Sequence, residues 1–261
     1  MAGEVVSVAV VTGGGRGLGA GIALALAESG HDLVLGWHRE AAAVAHVAEG
    51  VRARGQRVEL VTGDVADPDT AKLMVDAAVE RLGGLDVWVN NAGVSVIAPV
   101  IDTPIARMER MLAVNVVGAL HGIQAAAHTM LELGVGGRIV NIASDAGLQG
   151  FPNLGGYAAT KFALVALTQT AALELAGAGI TVNAVCPGTA ETAMNHAEWS
   201  TERALTHRSF GDVREDYLDA IPLGRFCTPE DVGSTVAWLA SSVAGFVTGQ
   251  AICVNGGTVL H

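Results

Sequence analysis

The sequence predicts an α/β protein, a doubly wound parallel sheet of seven strands in a three-layer αβα sandwich. Two regularities carry this. Short runs rich in Val, Ile and Leu alternate with longer Ala/Leu-rich stretches, and the short runs are apolar throughout rather than at every second residue. Continuous apolarity is what a parallel strand needs when helices cover both of its faces. A third observation, a glycine-dense turn directly after the first run, marks a tight strand-to-helix junction.

Taken in order, "VVSVAVV" (5–11) reads as the first strand and 17–29 as the first helix. "DLVLGW" (32–37) is the second strand and 40–54 the second helix. "RVELVT" (57–62), "LDVWVN" (85–90), "GRIVNIA" (137–143), "ITVNAVC" (180–186) and "QAICVN" (250–255) continue the strands. Helices are expected near 68–82, 105–132, 156–177 and 229–241, the long 105–132 helix kinking at Gly118. Right-handed crossovers join these units into a single domain, 1–261, with no linker and no internal repeat. Residues 189–224 are too long for an ordinary connection and hold Trp199, Phe210 and Tyr217, so they are expected to form a helical lid beside a site.

Composition narrows the function classes. Hydrophobic residues make up 51% and charged residues 16%, which fits a packed core and not a disordered chain. A net charge of −11 argues against nucleic acid as a partner and supplies no polybasic membrane patch. The start "MAGEVVSVAVVTGGG" has no basic leader, and no apolar run is long enough to span a bilayer. Cys186, Cys227 and Cys253 are odd in number and widely spaced, so a reduced, cytoplasmic setting is expected and no disulfide framework. Cys186 reads as a small buried hydrophobe, and His196 and His207 in the 189–224 segment as surface groups. No ligand spacing supports a metal.

Two stretches carry chemistry. "VVTGGGRGLGAGIALALAESG" follows the first strand and opens the first helix, where glycine backbone can approach a pyrophosphate at the free N–H groups of the helix start. Such sheets are Rossmann-type dinucleotide binders. In them an acid at the end of the second strand usually bonds the adenosine ribose. Here that end reads Trp37, His38 and Arg39, and Asp32 lies at the opposite end of the strand. With no carboxylate to repel a 2′-phosphate, and with Arg16 or Arg39 to pair with it, NADP(H) is favoured over NAD(H). The alternative is that these cations are ordinary surface charges.

The second stretch, "GGYAATKFALVALTQTAALEL", puts Tyr157 four residues before Lys161 on one helix face. A neighbouring ammonium is expected to lower the phenol's pKa and make it a proton donor near neutral pH. Ser144 ends a strand at the sheet's carboxyl edge, placed to hold a carbonyl oxygen.

With the glycine loop and the Tyr/Lys pair together, the chain resembles the short-chain dehydrogenase/reductase family over essentially its whole length. Thr12, Gly13, Gly17 and Gly19, with Arg16 and Leu18 between, match the family's cofactor loop. Asp64, followed by Val65, matches its adenine-contacting acid, and Asn91, Ala92 and Gly93 belong to its "NNAG" motif. Asn115, Ser144, Tyr157 and Lys161 match the four catalytic positions. Pro187, Gly188 and Thr192 lie in the "CPGTAET" loop over the nicotinamide, and "PLGRFCTPEDV" and "FVTGQAICVNGG" match later landmarks. The one departure is Thr160, where serine is commoner. The resemblance implies that Lys161 also bonds the nicotinamide ribose. It further implies that the Asn115 side chain holds a proton-relay water, that Thr192 holds the carboxamide, and that the protein is a homotetramer.

The reaction expected is reversible hydride transfer between NADP(H) and a ketone/secondary-alcohol pair, a small-molecule ketoreductase. The alternative is an NAD(H)-dependent diol or polyol dehydrogenase of the acetoin type. From another class, a catalytically idle dinucleotide-binding regulator stays open, as does an epimerase or dehydratase that keeps its nucleotide bound. Substrate-pocket candidates are Ala146, Gln149, Phe151, Asn153, Ala190, Met194 and Trp199, with Asp145 either lining the pocket or facing solvent.

Overall fold

The computed structural model describes residues 7–261, so positions 5 and 6 of the first expected strand lie outside the described residues. Seven parallel strands form one sheet in the order β3-β2-β1-β4-β5-β6-β7. They are β1 (Val8–Val11), β2 (Asp32–Trp37), β3 (Val58–Thr62), β4 (Val87–Asn90), β5 (Arg138–Ile142), β6 (Thr181–Pro187) and β7 (Ala251–Val254). β1, β2 and β4 are buried at nearly every position, as their continuous apolarity requires.

Helices α1 (Gly17–Glu28), α2 (Ala41–Ala53) and α9 (Pro229–Ala240) cover one face, where Ile22, Leu26, Val44, Val51, Val232 and Val236 pack on β1 and β2. Gly21 makes the α1–α9 approach possible: a Cβ there would lie 2.4 Å from the Pro229 carbonyl oxygen. The other face carries α3 (Pro68–Asp76), α5 (Gly118–Leu133) and α6 (Gly155–Leu175), packed through Met74, Ile123, Met130 and the fully buried Trp88. A buried polar chain ties this layer together. Trp88 Nε1 donates to Asn90 Oδ1 at 2.7 Å, Asn90 Nδ2 to Asn141 Oδ1 at 2.8 Å, and Asn141 Nδ2 to Thr168 Oγ1 at 2.9 Å. Every buried polar atom so paired avoids a desolvation cost and fixes the register of β4, β5 and α6.

Two expected helices differ in detail. The 68–82 helix is α3 followed by a wider π turn, Ala77–Leu82. The 105–132 helix is α4 (Ile105–Leu112), a π turn at Ala113–Val117 and then α5. The irregularity therefore precedes Gly118, which itself has ordinary helical backbone (φ −61). Gly118 serves close approach instead, because a Cβ there would meet Val65 Cγ2 at 2.8 Å.

The 189–224 segment folds as α7 (Ala193–Thr206) and α8 (Phe210–Asp219). Their small core is aromatic: Trp199 is fully buried, with ring centroids 5.8 Å from Phe210, 5.9 Å from Tyr217 and 5.3 Å from Phe226. Asp32, at the start of β2, accepts from Arg57 Nε at 2.7 Å and so closes the sheet's amino edge, opposite its carboxyl edge. Among the described residues, no helix is long and apolar enough to cross a membrane.

Candidate active site

Strand order reverses between β1 and β4, since β1 pairs with β2 on one side and β4 on the other. Loops leaving the carboxyl ends there part to opposite faces and open a crevice. A cleft of about 640 Å³ occupies it, within the range of small-molecule sites.

One end is built on the β1–α1 turn. Gly13, Arg16, Gly17, Leu18 and Gly19 all line the cleft. A Cβ on Gly19 would lie 2.2 Å from the Gly13 carbonyl oxygen, so only glycine lets the turn close. Arg16, at the head of α1, supplies no side-chain cap, and the first turn carries no acid. The leading N–H groups thus face the cleft without a side-chain acceptor, the arrangement a phosphate anion satisfies. Thr12 braces the turn through its hydroxyl, which accepts from Asn91 N at 2.9 Å and Ala92 N at 3.0 Å. These features suit a dinucleotide's pyrophosphate.

Farther along, Trp37, His38 and Arg39 line the cleft at the end of β2, with Asp64, Val65, Asn91, Ala92 and Gly93 beside them. Partial burial works to raise the Asp64 pKa, but the Ala66 N–H and the Arg110 guanidinium, 2.7 Å away, outweigh it and hold the carboxyl below its ordinary value. A carboxylate that the sequence reading missed also sits here. Glu40, in left-handed backbone at φ 65, accepts from Arg16 Nη1 at 2.6 Å.

The other end holds the proton-transfer candidates. Ser144 follows β5 in extended backbone; its hydroxyl donates to Asp145 Oδ1 at 3.0 Å and accepts from Ala146 N at 3.2 Å. Asp145 is buried, lines the cleft, and has its pKa raised by that burial. Tyr157 and Lys161 enter from α6 one turn apart and line the same cleft. Lys161 Nζ donates to the Ile142 carbonyl at 2.7 Å and lies over the Tyr157 ring, 5.5 Å from its centroid.

That geometry corrects the expected pKa effect. Burial pushes the Tyr157 phenol up, with the Glu198 carboxylate adding to it and the Ser144 hydroxyl opposing. Burial also lowers Lys161 to about 8. Desolvation and nearby carboxylates dominate at the phenol. A phenol so placed keeps its proton, ready to donate.

Asn115 does not line the cleft; the π turn swings it inward, fully buried. Its Nδ2 donates to Val94 O at 2.8 Å and Thr160 Oγ1 at 3.0 Å, while Oδ1 accepts from Val94 N at 2.9 Å. The side chain is committed to clamping the loop after β4 onto α6, which does not fit the water-holding role expected of it. Thr160 supplies one of those bonds, which gives the departure at that position a structural use.

Pro187, Gly188, Ala190, Thr192 and Met194 line the cleft from β6 and the start of α7, and Ala146 from the loop after Ser144. Thr192 caps α7, its Oγ1 accepting from Asn195 N at 3.4 Å. Four substrate-pocket expectations do not hold. Trp199 is the centre of the small core between α7 and α8. Gln149, Phe151 and Asn153 are not among the residues that line the cleft, Asn153 taking left-handed backbone at φ 63, and Leu154 lines it instead. Cys186 is fully buried and its thiol is pushed up to about 12, chiefly by desolvation. Ser95, Glu198 and Tyr217 line the cleft but were not foreseen. For Glu198 a signal existed, since it stands one turn after Met194 on the same helix face.

Comparison with known proteins agrees with this arrangement. The family model described as enoyl-(acyl carrier protein) reductase matches residues 13–259. An L-2,3-butanediol dehydrogenase from Corynebacterium glutamicum is 41% identical over 255 residues, 97% of this chain and 99% of the relative. A diacetyl reductase [(S)-acetoin forming] from Staphylococcus epidermidis is 38% identical over 252 residues, 96% of this chain and 98% of the relative. The crystal structure of a short-chain type dehydrogenase/reductase from Mycobacterium marinum superposes with a TM-score of 0.88 at 32% identity, covering 98% of this chain and 96% of that one. Sheet order, glycine turn and the Ser144/Tyr157/Lys161 cluster thus coincide with full-length sequence similarity: the chain belongs to the short-chain dehydrogenase/reductase family and is an oxidoreductase of alcohol and ketone groups.

Proposed function

We propose that the protein interconverts a small vicinally oxygenated ketone and its secondary alcohol, with NADP(H) as cofactor and Tyr157 as proton donor. The observation that carries the chemistry is the meeting of Ser144, Tyr157 and Lys161 in the cleft that also contains the uncapped start of α1. The names of the butanediol and acetoin-forming relatives support the substrate class and favour it over a bulkier ketoreductase substrate.

A bound nicotinamide cofactor supplies the hydride, or takes it in the reverse direction. Ser144 turns its hydroxyl hydrogen from Asp145 to the substrate oxygen and orients it. Tyr157 gives its proton to the developing alkoxide. Below about pH 8 the Lys161 ammonium stabilises the phenolate left behind. Asn115 positions Lys161's helix through Thr160. The α1 N–H groups and Gly13, Gly17 and Gly19 receive the pyrophosphate, Asp64 the adenine, and Thr192 the carboxamide.

For the adenosine end we propose Arg16, His38 and Arg39 as partners of a 2′-phosphate. A second reading, NAD(H), rests on one observation: Glu40 holds Arg16 at 2.6 Å, placing in that corner a carboxylate able to accept from ribose hydroxyls. We also propose a homotetramer.

The test is a paired titration with NADPH and NADH, followed by turnover of diketones, hydroxyketones, sugar ketones and β-ketoacyl thioesters. The expected result is tighter NADPH binding and oxidation of NADPH by the small vicinal ketones. Arg16→Ala should weaken NADPH more than NADH. An NADH preference would favour the Glu40 reading, and binding without turnover of any ketone would leave the regulator reading standing instead.

A further inference from the structure

At the substrate end, two polar groups are unused by proton transfer. Glu198 lines the cleft from α7 together with Met194, and its charge acts on Tyr157 more than any other does. It forms no ion pair among the described residues. Glu202, one turn on, is already engaged, accepting from the Tyr217 hydroxyl at 2.7 Å. Ser95, on the loop that Asn115 clamps through Val94, has its hydroxyl oxygen buried beside the Glu198 carboxyl. Glu198 is the carboxyl beside it: burial raises the Glu198 pKa and the Ser95 hydroxyl opposes the shift. Trp199, the next residue, is locked in the lid's aromatic core, so the backbone that carries Glu198 is fixed.

We propose that Glu198 and Ser95 form a hydroxyl-recognition pair that selects ketones bearing a hydroxyl on the carbon next to the carbonyl. This rests on the ketone reading above and narrows it. A hydroxyl both donates and accepts, so it satisfies the carboxylate and the serine together. A second carbonyl only accepts and would face the carboxylate's lone pairs, and an alkyl group would offer the pair no hydrogen bond while displacing water from it. A site built to bond a substrate hydroxyl discriminates strongly against analogues without one. A keto acid would meet like charge at Glu198 and Asp145. The carbonyl oxygen is held by Ser144 and Tyr157 on the floor of the cleft while its neighbour is read from the lid side.

The experiment measures kcat/KM for acetoin, diacetyl and 2-butanone at saturating cofactor. It compares wild type, Glu198→Ala, Glu198→Gln and Ser95→Ala, with cofactor fluorescence titrations reporting that each variant is folded. Wild type is expected to favour acetoin over 2-butanone by about tenfold or more. Glu198→Ala should lower the acetoin value about tenfold more than the 2-butanone value, with Glu198→Gln recovering part through its amide oxygen. Ser95→Ala should show a smaller loss of the same selectivity, and it tests the pair independently should the Glu198 variants fail to fold. Equal losses on all three ketones, or an unchanged acetoin:2-butanone ratio, would overturn the pair while leaving the ketone reading intact. If wild type turned over no ketone, that reading would fall and the pair with it.

Discussion

Tyr157 and Lys161 stand one turn apart, but each is governed by what surrounds it. Lys161 is nearly fully buried, its Nζ held by the Ile142 carbonyl, and its pKa falls from 10.5 to about 8 by desolvation. Between those values the unfolded chain binds more protons than the folded one, so the fold gains stability as pH rises through that window. Urea unfolding of the cofactor-free protein at pH 7.5 and 9.5 should show a Lys161 contribution of about 2 kcal/mol, read as the difference between wild type and Lys161→Met. Equal pH responses in the two proteins would contradict a buried ammonium. Tyr157→Phe removes only the hydroxyl from a phenol that keeps its proton, so turnover should fall by about 10³-fold or more. Cofactor affinity should stay within a few fold, and a variant that kept its turnover would end the role given to Tyr157.

At the scale of elements, α9 gives a clean test of local signals. Thr228 caps it by accepting from Asp231 N at 3.2 Å, and Asp231 answers by accepting from Thr228 N at 2.9 Å and from Arg225. Pro229 follows in the first turn. Thr228→Ala should cost about 1 kcal/mol in a denaturant titration, because α9 is packed along α1 through Gly21 and Gly233. A loss well below this would mean that packing alone fixes the helix start. Such elements were legible because their causes are local: apolar runs for strands, glycine at the β1–α1 turn, Tyr157 and Lys161 at one-turn spacing. The π turn at 113–117 was not, since what holds it is the distant clamp of Asn115 on Val94 and Thr160. Gly118 looked like a kink for the same reason; its true constraint is Val65, more than fifty residues away in the chain. Trp199 was misassigned because an aromatic in a lid looks the same in sequence whether it faces a substrate or, as here, its own small core. Glu198 on α7 and Ser95 on the loop after β4 are about a hundred residues apart in the chain and come together only in the fold.

Among the described residues, two sets of exposed large apolar side chains bear on assembly. On α6, Phe162 and Leu173 are about three turns apart and share a face, and Leu173 is 83% exposed. Ile105 and Leu112 on the neighbouring α4, with Val100 and Ile101 just before it, add exposed side chains to that region. Val243 and Phe246, between α9 and β7, and Leu260, after β7, are also exposed, Phe246 fully. Exposed large apolar side chains gathered on one face mark association sites. We propose that each set closes a separate twofold contact, and two such contacts on one chain build a dihedral tetramer. Sedimentation equilibrium at micromolar concentration should therefore give a homotetramer. Leu173→Glu should break only the contact through α6 and Phe246→Glu only the contact through Phe246, each leaving a dimer. The double variant should be a monomer that still binds cofactor, since neither residue lines the cleft. A monomeric wild type, or a tetramer that survives both charges, would mean that these faces are covered by something other than copies of this chain.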